Sequence, residues 1–278
     1  MDYVELNIPL ADAEQGEILT AELADFPFES FQTDGMRLKA YIPQEALADC
    51  MGDVDNMLSG YAVEGARYIS IETQNWNAQW ESNFDPVEVG DKKLLIRAPF
   101  HESRAEFGLE VVIMPKMSFG TGHHATTHLM SEATIDLKPE GLEGLDMGSG
   151  TGLLAIVAAK CGAAHMDAID IDDWAYENCA ENIEVNGVGG CVTPYLGNAS
   201  LLVGKSYDFI LANINRNILL ADMSTYVAAL RGVGSQLVMS GFLEDDVEIL
   251  EKKANELGMS LAEKRVRDGW VVLRFTKN

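Results

Sequence analysis

Little in this chain ties it to a metal, a membrane or nucleic acid. Four cysteines among 278 residues (Cys50, Cys161, Cys179 and Cys191) lie far apart and form no Cys-x-x-Cys pair, so a zinc site or redox motif has no support. Three of them sit inside apolar or helical patterns, where cysteine packs as a small core residue. A reducing cytoplasm is the default compartment. No run of about 18 apolar residues appears, which argues against a transmembrane helix. The opening Met-Asp-Tyr-Val-Glu-Leu lacks a basic stretch followed by an apolar one, so no secretory signal is expected. His124 and His128 are four apart, as paired metal ligands on a helix are. No His-Glu-x-x-His motif or third ligand accompanies them, and no metal is expected.

Positive charge is also scarce. The formal net charge is -24, and a duplex nucleic-acid binder normally presents a basic face. No direct nucleic-acid binding is therefore expected. The imbalance is steepest at the front, where residues 1–90 hold 18 acidic and 3 basic side chains. An acidic front end steers a basic partner by long-range attraction, or simply keeps the protein soluble. The hydrophobic fraction of 47% and near-zero mean hydropathy fit a globular chain of one large domain, or of a small and a medium one.

The first part reads strand, helix, strand, strand, helix, strand. Tyr3–Leu10 has strand character, and Ala11–Asp25 is amphipathic with Ile18, Leu19 and Leu23 on one side. Phe28–Gln32 and Arg37–Ile42 flank Thr33-Asp34-Gly35-Met36, a hairpin signal. A helix after Pro43 and a strand at Tyr68–Glu72 complete the split-βαβ order of a ferredoxin-like α+β domain over residues 1–73. Residues 74–91 read as a linker. Trp76 and Trp80 within it are four apart and share one helix face, either packing the linker or setting a hinge.

From residue 92 to 278 strands alternate with longer helices. Strands are expected at Leu142–Met147, Met166–Ile171, Val192–Leu196, Tyr207–Asn213 and Ser235–Ser240, and helices at Gly152–Cys161, Trp174–Asn186, Ile218–Leu230 and Asp245–Leu257. Leu261–Val266 and Trp270–Thr276 close the chain as an antiparallel pair. The alternation predicts an α/β domain with a mostly parallel sheet and helices on both faces.

Leu145-Asp146-Met147-Gly148-Ser149-Gly150-Thr151-Gly152 follows one strand and opens a helix. Glycines there permit a tight turn and close approach of a ligand. A dinucleotide fingerprint needs Gly-x-Gly-x-x-Gly, but the glycines fall at 148, 150 and 152 and position 153 is Leu. Gly-x-Gly-x-Gly after an acidic residue instead resembles the methyltransferases that use S-adenosylmethionine (SAM). Asp170, 22 residues after Gly148 at the end of the next strand, is suited to accept hydrogen bonds from two ribose hydroxyls, while Asp172 suits a helix cap. Phe209-Ile210-Leu211-Ala212-Asn213-Ile214-Asn215 ends the fourth strand. Asn213 either terminates a strand or offers a carbonyl that orients an amine. The stretch lacks the prolines and aromatic residue that stack a planar base.

One further segment, Met114-Pro115-Lys116-Met117-Ser118-Phe119-Gly120-Thr121-Gly122-His123-His124-Ala125-Thr126-Thr127, narrows the reading. With Asp146–Gly152, Ala168–Asp172 and Ala212-Asn213-Ile214, it closely resembles the bacterial methyltransferases of ribosomal large-subunit protein eleven. Asn75-Trp76-x-x-x-Trp80 matches that family's linker. Ala125 and Ser149 depart from its commonest residues without removing a group the chemistry needs. The resemblance implies a substrate-recognition domain over 1–73 and a Rossmann-like class I catalytic domain with a seven-stranded sheet over 92–278. It implies that SAM binds Phe119, Thr127, Gly148, Gly150, Asp170 and Asn213, with His124 and Asn213 at the catalytic, acceptor side. It also implies transfer to lysine ε-amines and the N-terminal α-amine of protein eleven, free or on the ribosome. The alternatives are methylation of another protein or small molecule, or a SAM-binding interaction module without catalysis.

Overall fold

A computed structural model describes residues 3–71 (backbone only at 71), 85–116 and 118–278. Its contacts divide the chain into two compact units, Met1–Asn83 and Phe84–Asn278. Trp76, Trp80 and Glu72 lie outside the described residues.

The first unit runs β1 (Tyr3–Pro9), α1 (Ala13–Leu23), β2 (Ser30–Thr33), β3 (Arg37–Pro43), α2 (Gln44–Gly60) and β4 (Arg67–Ile71). Its sheet order is β2-β3-β1-β4, with every pair antiparallel, which is the split-βαβ arrangement expected from the sequence. Period-two alternation sends Val4, Leu6, Ile8, Leu38, Ala40 and Ile42 to the face packed by Leu19, Leu23, Leu47, Val54 and Leu58 of the helices. Gly35, at φ +58°, makes the hairpin between β2 and β3, closed by paired Asp34 and Arg37 backbone bonds of 2.9 and 3.2 Å. Ile18 departs from expectation: it is half-exposed, and Gly16 joins Leu19 and Leu23 on the buried side. Positions 16, 19 and 23 follow the three-to-four residue repeat, whereas 18 sits about 100° from 19.

The second unit begins with three short strands, β5 (Val87–Val89), β6 (Leu94–Arg97) and β7 (Leu109–Val112), that form their own sheet. Val87–Val89 therefore forms a strand within the stretch 74–91 read as linker. Next come α3 (Ala125–Asp136), β8 (Glu143–Met147), α4 (Leu153–Lys160), β9 (His165–Asp170), α5 (Asp173–Val185) and β10 (Val192–Leu196). The remainder is β11 (Phe209–Asn213), α6 (Arg216–Ala229), β12 (Gln236–Leu243), α7 (Val247–Glu256), β13 (Met259–Arg267) and β14 (Trp270–Lys277).

The large sheet has the order β10-β9-β8-β11-β12-β14-β13, parallel except where β14 runs against β12 and β13. One core layer joins it to α3, α4, α5 and the small sheet, and a second joins it to α6 and α7. The chain winds outward from β8 through β9 to β10, then returns to β11 on the other side of β8. That reversal opens a crevice beyond the carboxyl ends of β8 and β11, where open α/β sheets bind ligands. Among the described residues no helix is long and apolar enough to cross a membrane.

Candidate active site

The glycine loop lies at this reversal, and its geometry requires glycine. Gly148, Gly150 and Gly152 have φ of +71°, +53° and +78°. A Cβ on Gly148 would lie 2.3 Å from Ile214 Cγ2, and one on Gly150 would lie 2.3 Å from the Phe119 carbonyl oxygen. The loop is thus pressed between the end of β11 and the segment that carries Phe119.

The amides of this loop are already occupied within the protein. Gly148 and Ser149 N–H donate to the Ile169 carbonyl (2.8 and 3.1 Å), Thr151 N–H to the Phe119 carbonyl (3.0 Å) and Gly152 N–H to the Ser149 carbonyl (2.8 Å). Gly150 N–H donates to Asp170 Oδ2 (2.8 Å). A phosphate-binding loop keeps such N–H groups for its anion. Here the groups lacking partners are oxygens. Asp146 Oδ1, Asn213 Oδ1 and Thr127 Oγ1 are buried with no hydrogen-bond partner among the described residues. Buried acceptors normally find donors. These oxygens, with the carboxylate of Asp170, suit a ligand that brings ammonium, hydroxyl and cationic groups. SAM fits that requirement, and a pyrophosphate does not.

Asp146 is fully buried, and Ala155 N–H donates to its Oδ2 at 3.1 Å. Burial pushes its carboxyl up to about 7; the Ala155 bond opposes this, and the charge of Asp170 adds to it. The unfolded chain gives up this proton near pH 4, well before the folded one. The stability from the neutral form is therefore full below that pH and is lost as pH rises to 7. Relative to Asp146→Asn, the wild-type protein is expected to lose up to about 4 kcal/mol of unfolding free energy across that window, with neutral-pH losses the largest. Urea denaturation of both proteins at several pH values checks this, and parallel curves would refute it.

Asp170 accepts from Gly150 N–H through one oxygen and from Asp172 N–H through the other (3.1 Å), which fixes the carboxylate at the end of β9. Asp172 caps α5 by accepting from Trp174 N–H (2.8 Å), the structural role open to it from the sequence. Cys179 packs behind the loop, where burial pushes its thiol up to about 12. It is the fully buried cysteine; Cys50, Cys161 and Cys191 are only partly covered, and all four are free.

A cleft of about 250 Å³ opens beside the loop, lined by Phe119, His124, Thr126, Asn213, Asn215 and Trp270 among others. Asn213 reaches it from the last position of β11, and Phe119 is 55% exposed at its edge. His124 caps α3, its Nδ1 accepting from Thr126 N–H (3.3 Å) and meeting Thr126 Oγ1 at 2.8 Å. Its ring stands edge-on between Phe119 and Trp270, with centroid separations of 5.4 and 4.7 Å. Aromatic faces on two sides and an amide oxygen at the strand end form a slot suited to an alkylamine. His128 does not join it. It lies 4.0 Å from Glu132, and burial together with Arg267 holds it below the usual imidazole range. Among the described residues no cluster of three His, Cys, Asp or Glu is placed to hold a metal ion.

The crevice thus brings together Phe119, His124, Gly148, Gly150, Asp170 and Asn213, and Thr127 sits on the first turn of α3 with its hydroxyl unpaired. Sequence reasoning missed three participants. Trp270 opens β14, more than fifty residues after Asn213, and no motif marks it. Ile214 covers Gly148. Gly241, at φ +99°, sits at a register shift between β12 and β14, where a Cβ would lie 2.3 Å from the Ile214 carbonyl oxygen. A lone glycine directly after the strand signal at 235–240 was the available clue to that bulge.

Comparison with known proteins identifies the family. A family model for "Ribosomal protein L11 methyltransferase (PrmA)" matches residues 11–278. The chain is 46% identical over 266 residues to the ribosomal protein L11 methyltransferase of Porphyromonas gingivalis, spanning 94% of this chain and 90% of that protein. It is 40% identical over 283 residues to that of Bacteroides thetaiotaomicron, spanning 99% and 100%. A solved ribosomal protein L11 methylase from Lactobacillus delbrueckii subsp. bulgaricus superposes with a TM-score of 0.62 at 24% identity, covering 70% of this chain and 100% of that one, a likeness of fold. With a family match over nearly its whole length and a SAM-type crevice at the switch point of its sheet, the chain belongs to the SAM-dependent ribosomal protein L11 methyltransferase family.

Proposed function

We propose that this protein methylates lysine ε-amines and the N-terminal α-amine of ribosomal protein L11 in the cleft between Phe119, His124, Asn213 and Trp270. The observation that carries this reading is the buried Oδ1 of Asn213, at the end of β11 in the lining of the cleft, an acceptor without a donor among the described residues. An amine entering the slot donates a hydrogen bond to that oxygen, which points its lone pair away from Asn213. The aromatic walls hold the methylenes of the lysine side chain and exclude water.

SAM supplies an activated methyl group on a sulfonium. Asp170 would hold the ribose hydroxyls, and Asp146 Oδ1 and Thr127 Oγ1 would accept hydrogen bonds from the ammonium end. Gly148 and Gly150 let the backbone come close. The first domain, residues 1–73, recognises the ribosomal protein, and its acidic excess draws in a basic substrate. The linker read at 74–91 yields Val87–Val89 to the catalytic domain, which is the second unit, Phe84–Asn278. The enzyme acts in the cytoplasm without contacting nucleic acid directly.

Only a neutral amine attacks the methyl carbon. A lysine amine has a pKa of about 10.4 in water and is mostly protonated at pH 7. Burial and the nearby sulfonium lower that value without removing the proton. The rate of the chemical step is therefore expected to rise with pH between about 7 and 10. Single-turnover rates across that range check this, and a flat profile would contradict it.

The direct test is incubation with isotopically labelled SAM and ribosomal protein from methylation-deficient cells, followed by mass spectrometry. Label on lysine or the N-terminal amine of L11 is expected. Label confined to another protein would discard the substrate and keep the chemistry.

A further inference from the structure

One face of α5 carries asparagine at 178 and 182, and the C-cap Asn186 continues the four-residue spacing. Repeats of four residues stack on a helix, so the three amides form a ladder. The ladder grips the end of β7 and Met114 just beyond it. Asn186 Oδ1 accepts from Val112 N–H (2.9 Å) and its Nδ2 donates to the Val112 carbonyl (2.6 Å). Asn178 Nδ2 donates to the Met114 carbonyl (3.2 Å).

Asn182 does something its neighbours do not. It is wholly buried, and its Oδ1 accepts from Met114 N–H (2.8 Å) while its Nδ2 donates to the carbonyl of Thr151 (2.8 Å), inside the glycine loop. Thr151 in turn donates from its N–H to the Phe119 carbonyl (3.0 Å) and from Oγ1 to the Gly120 carbonyl (2.7 Å). Hydrogen bonds thus join Met114 through Asn182 and Thr151 to Phe119 and Gly120 in a ring. The ring ties the loop after β8 to the segment bearing Phe119.

We propose that Asn182 is a positioning residue of the donor site, holding the glycine loop and the Phe119 segment as one preorganised wall. This rests on the reading of that loop as the SAM site. The position demands a neutral group with a donor and an acceptor on one carbon. An aspartate of the same shape would turn a lone pair toward the Thr151 carbonyl and bury a charge. A leucine would leave Met114 N–H and Thr151 C=O unpaired. With the ring broken, the loop and Phe119 move independently, and SAM must order them as it binds.

The test compares Asn182→Asp with Asn186→Ala in the full-length protein. Asn186 is the control because its side chain bonds Val112 at the end of β7 and the Asn182 carbonyl and does not touch the glycine loop. Calorimetry with SAM gives Kd, steady-state kinetics give KM for SAM and for L11 separately, and thermal unfolding gives Tm. For Asn182→Asp, Kd and KM for SAM are expected to rise about tenfold or more, with KM for L11 changed less than about twofold. For Asn186→Ala, Tm falls while Kd for SAM stays within about twofold of wild type. Should Asn182→Asp fail to fold, Thr151→Val removes only the Oγ1 bond to Gly120 and is expected to raise KM for SAM about threefold at nearly unchanged Tm. Equal effects of the 182 and 186 variants on Kd, or wild-type affinity in Asn182→Asp or in Thr151→Val, would overturn the proposal. A wild-type protein that binds no SAM would instead overturn the reading of the loop itself.

Discussion

Asn213→Ala is expected to lower kcat by about 10²- to 10³-fold, the usual loss when a preorganised polar group at the reacting centre is removed. The side chain stands at the carboxyl end of the strand beside the glycine loop, in the cleft shared with His124 and Trp270. Its Oδ1 has no hydrogen-bond partner among the described residues, so the fold draws no hydrogen bond from that oxygen. Removing a buried unpaired acceptor carries little stability cost and relieves a desolvation penalty. The variant should therefore unfold within a few degrees of the wild type while methyl transfer to L11 collapses. Turnover with labelled SAM, read beside a melting curve, separates the two effects. A variant that keeps near-normal kcat would show that Asn213 merely ends a strand.

Gly150→Ala attacks the other half of the site. Its φ of +53° costs an L-residue about 1–2 kcal/mol, and its new Cβ would lie 2.3 Å from the backbone carbonyl of Phe119. That carbonyl already accepts from Thr151 N–H, so it cannot retreat without breaking the bond between loop and segment. A shift of the loop instead pulls Gly150 N–H from Asp170 and frees the carboxylate to rotate. Either route spoils the SAM surface, and affinity is expected to fall by about 10²-fold or more. Gly187→Ala is the matched control: its φ is +66°, but no atom lies within 4 Å of the added Cβ. It should cost about 1 kcal/mol of stability and leave SAM affinity untouched. Titration of SAM into both variants decides the matter. Equal affinities would mean that the loop yields to a methyl group and that its glycines serve the turn alone.

Much of the frame was legible because it follows from local rules. The strands ending at Met147, Asp170 and Asn213 were found within one or two residues. The Asp34-Gly35 turn, the Asp172 cap and the antiparallel closing pair also follow from residues near one another. The small sheet of β5, β6 and β7 was not legible. Leu94-Leu95-Ile96 is buried on both faces and shows no alternation, and its parallel partner β7 begins a dozen residues later. Within the site, Phe119, Gly148, Gly150, Asp170 and Asn213 stood in recognisable stretches. Trp270 and Asn182 did not, since each acts on a partner brought near only by folding.

The sequence by itself determined the order of strands and helices, the need for glycine in a tight turn after β8, and the carboxylate that follows the next strand. Each depends on periodicity or on backbone freedom, which are properties of neighbouring residues. Only the tertiary structure decided which polar groups at the glycine loop are paired and which are not. Its amides are consumed by Ile169, Asp170, Phe119 and Ser149, while Asp146, Asn213 and Thr127 keep oxygens without donors. Whether a backbone N–H is free or taken depends on long-range contacts. The preference for a cationic methyl donor over a phosphate is thus a property of the fold that the glycine spacing only suggests.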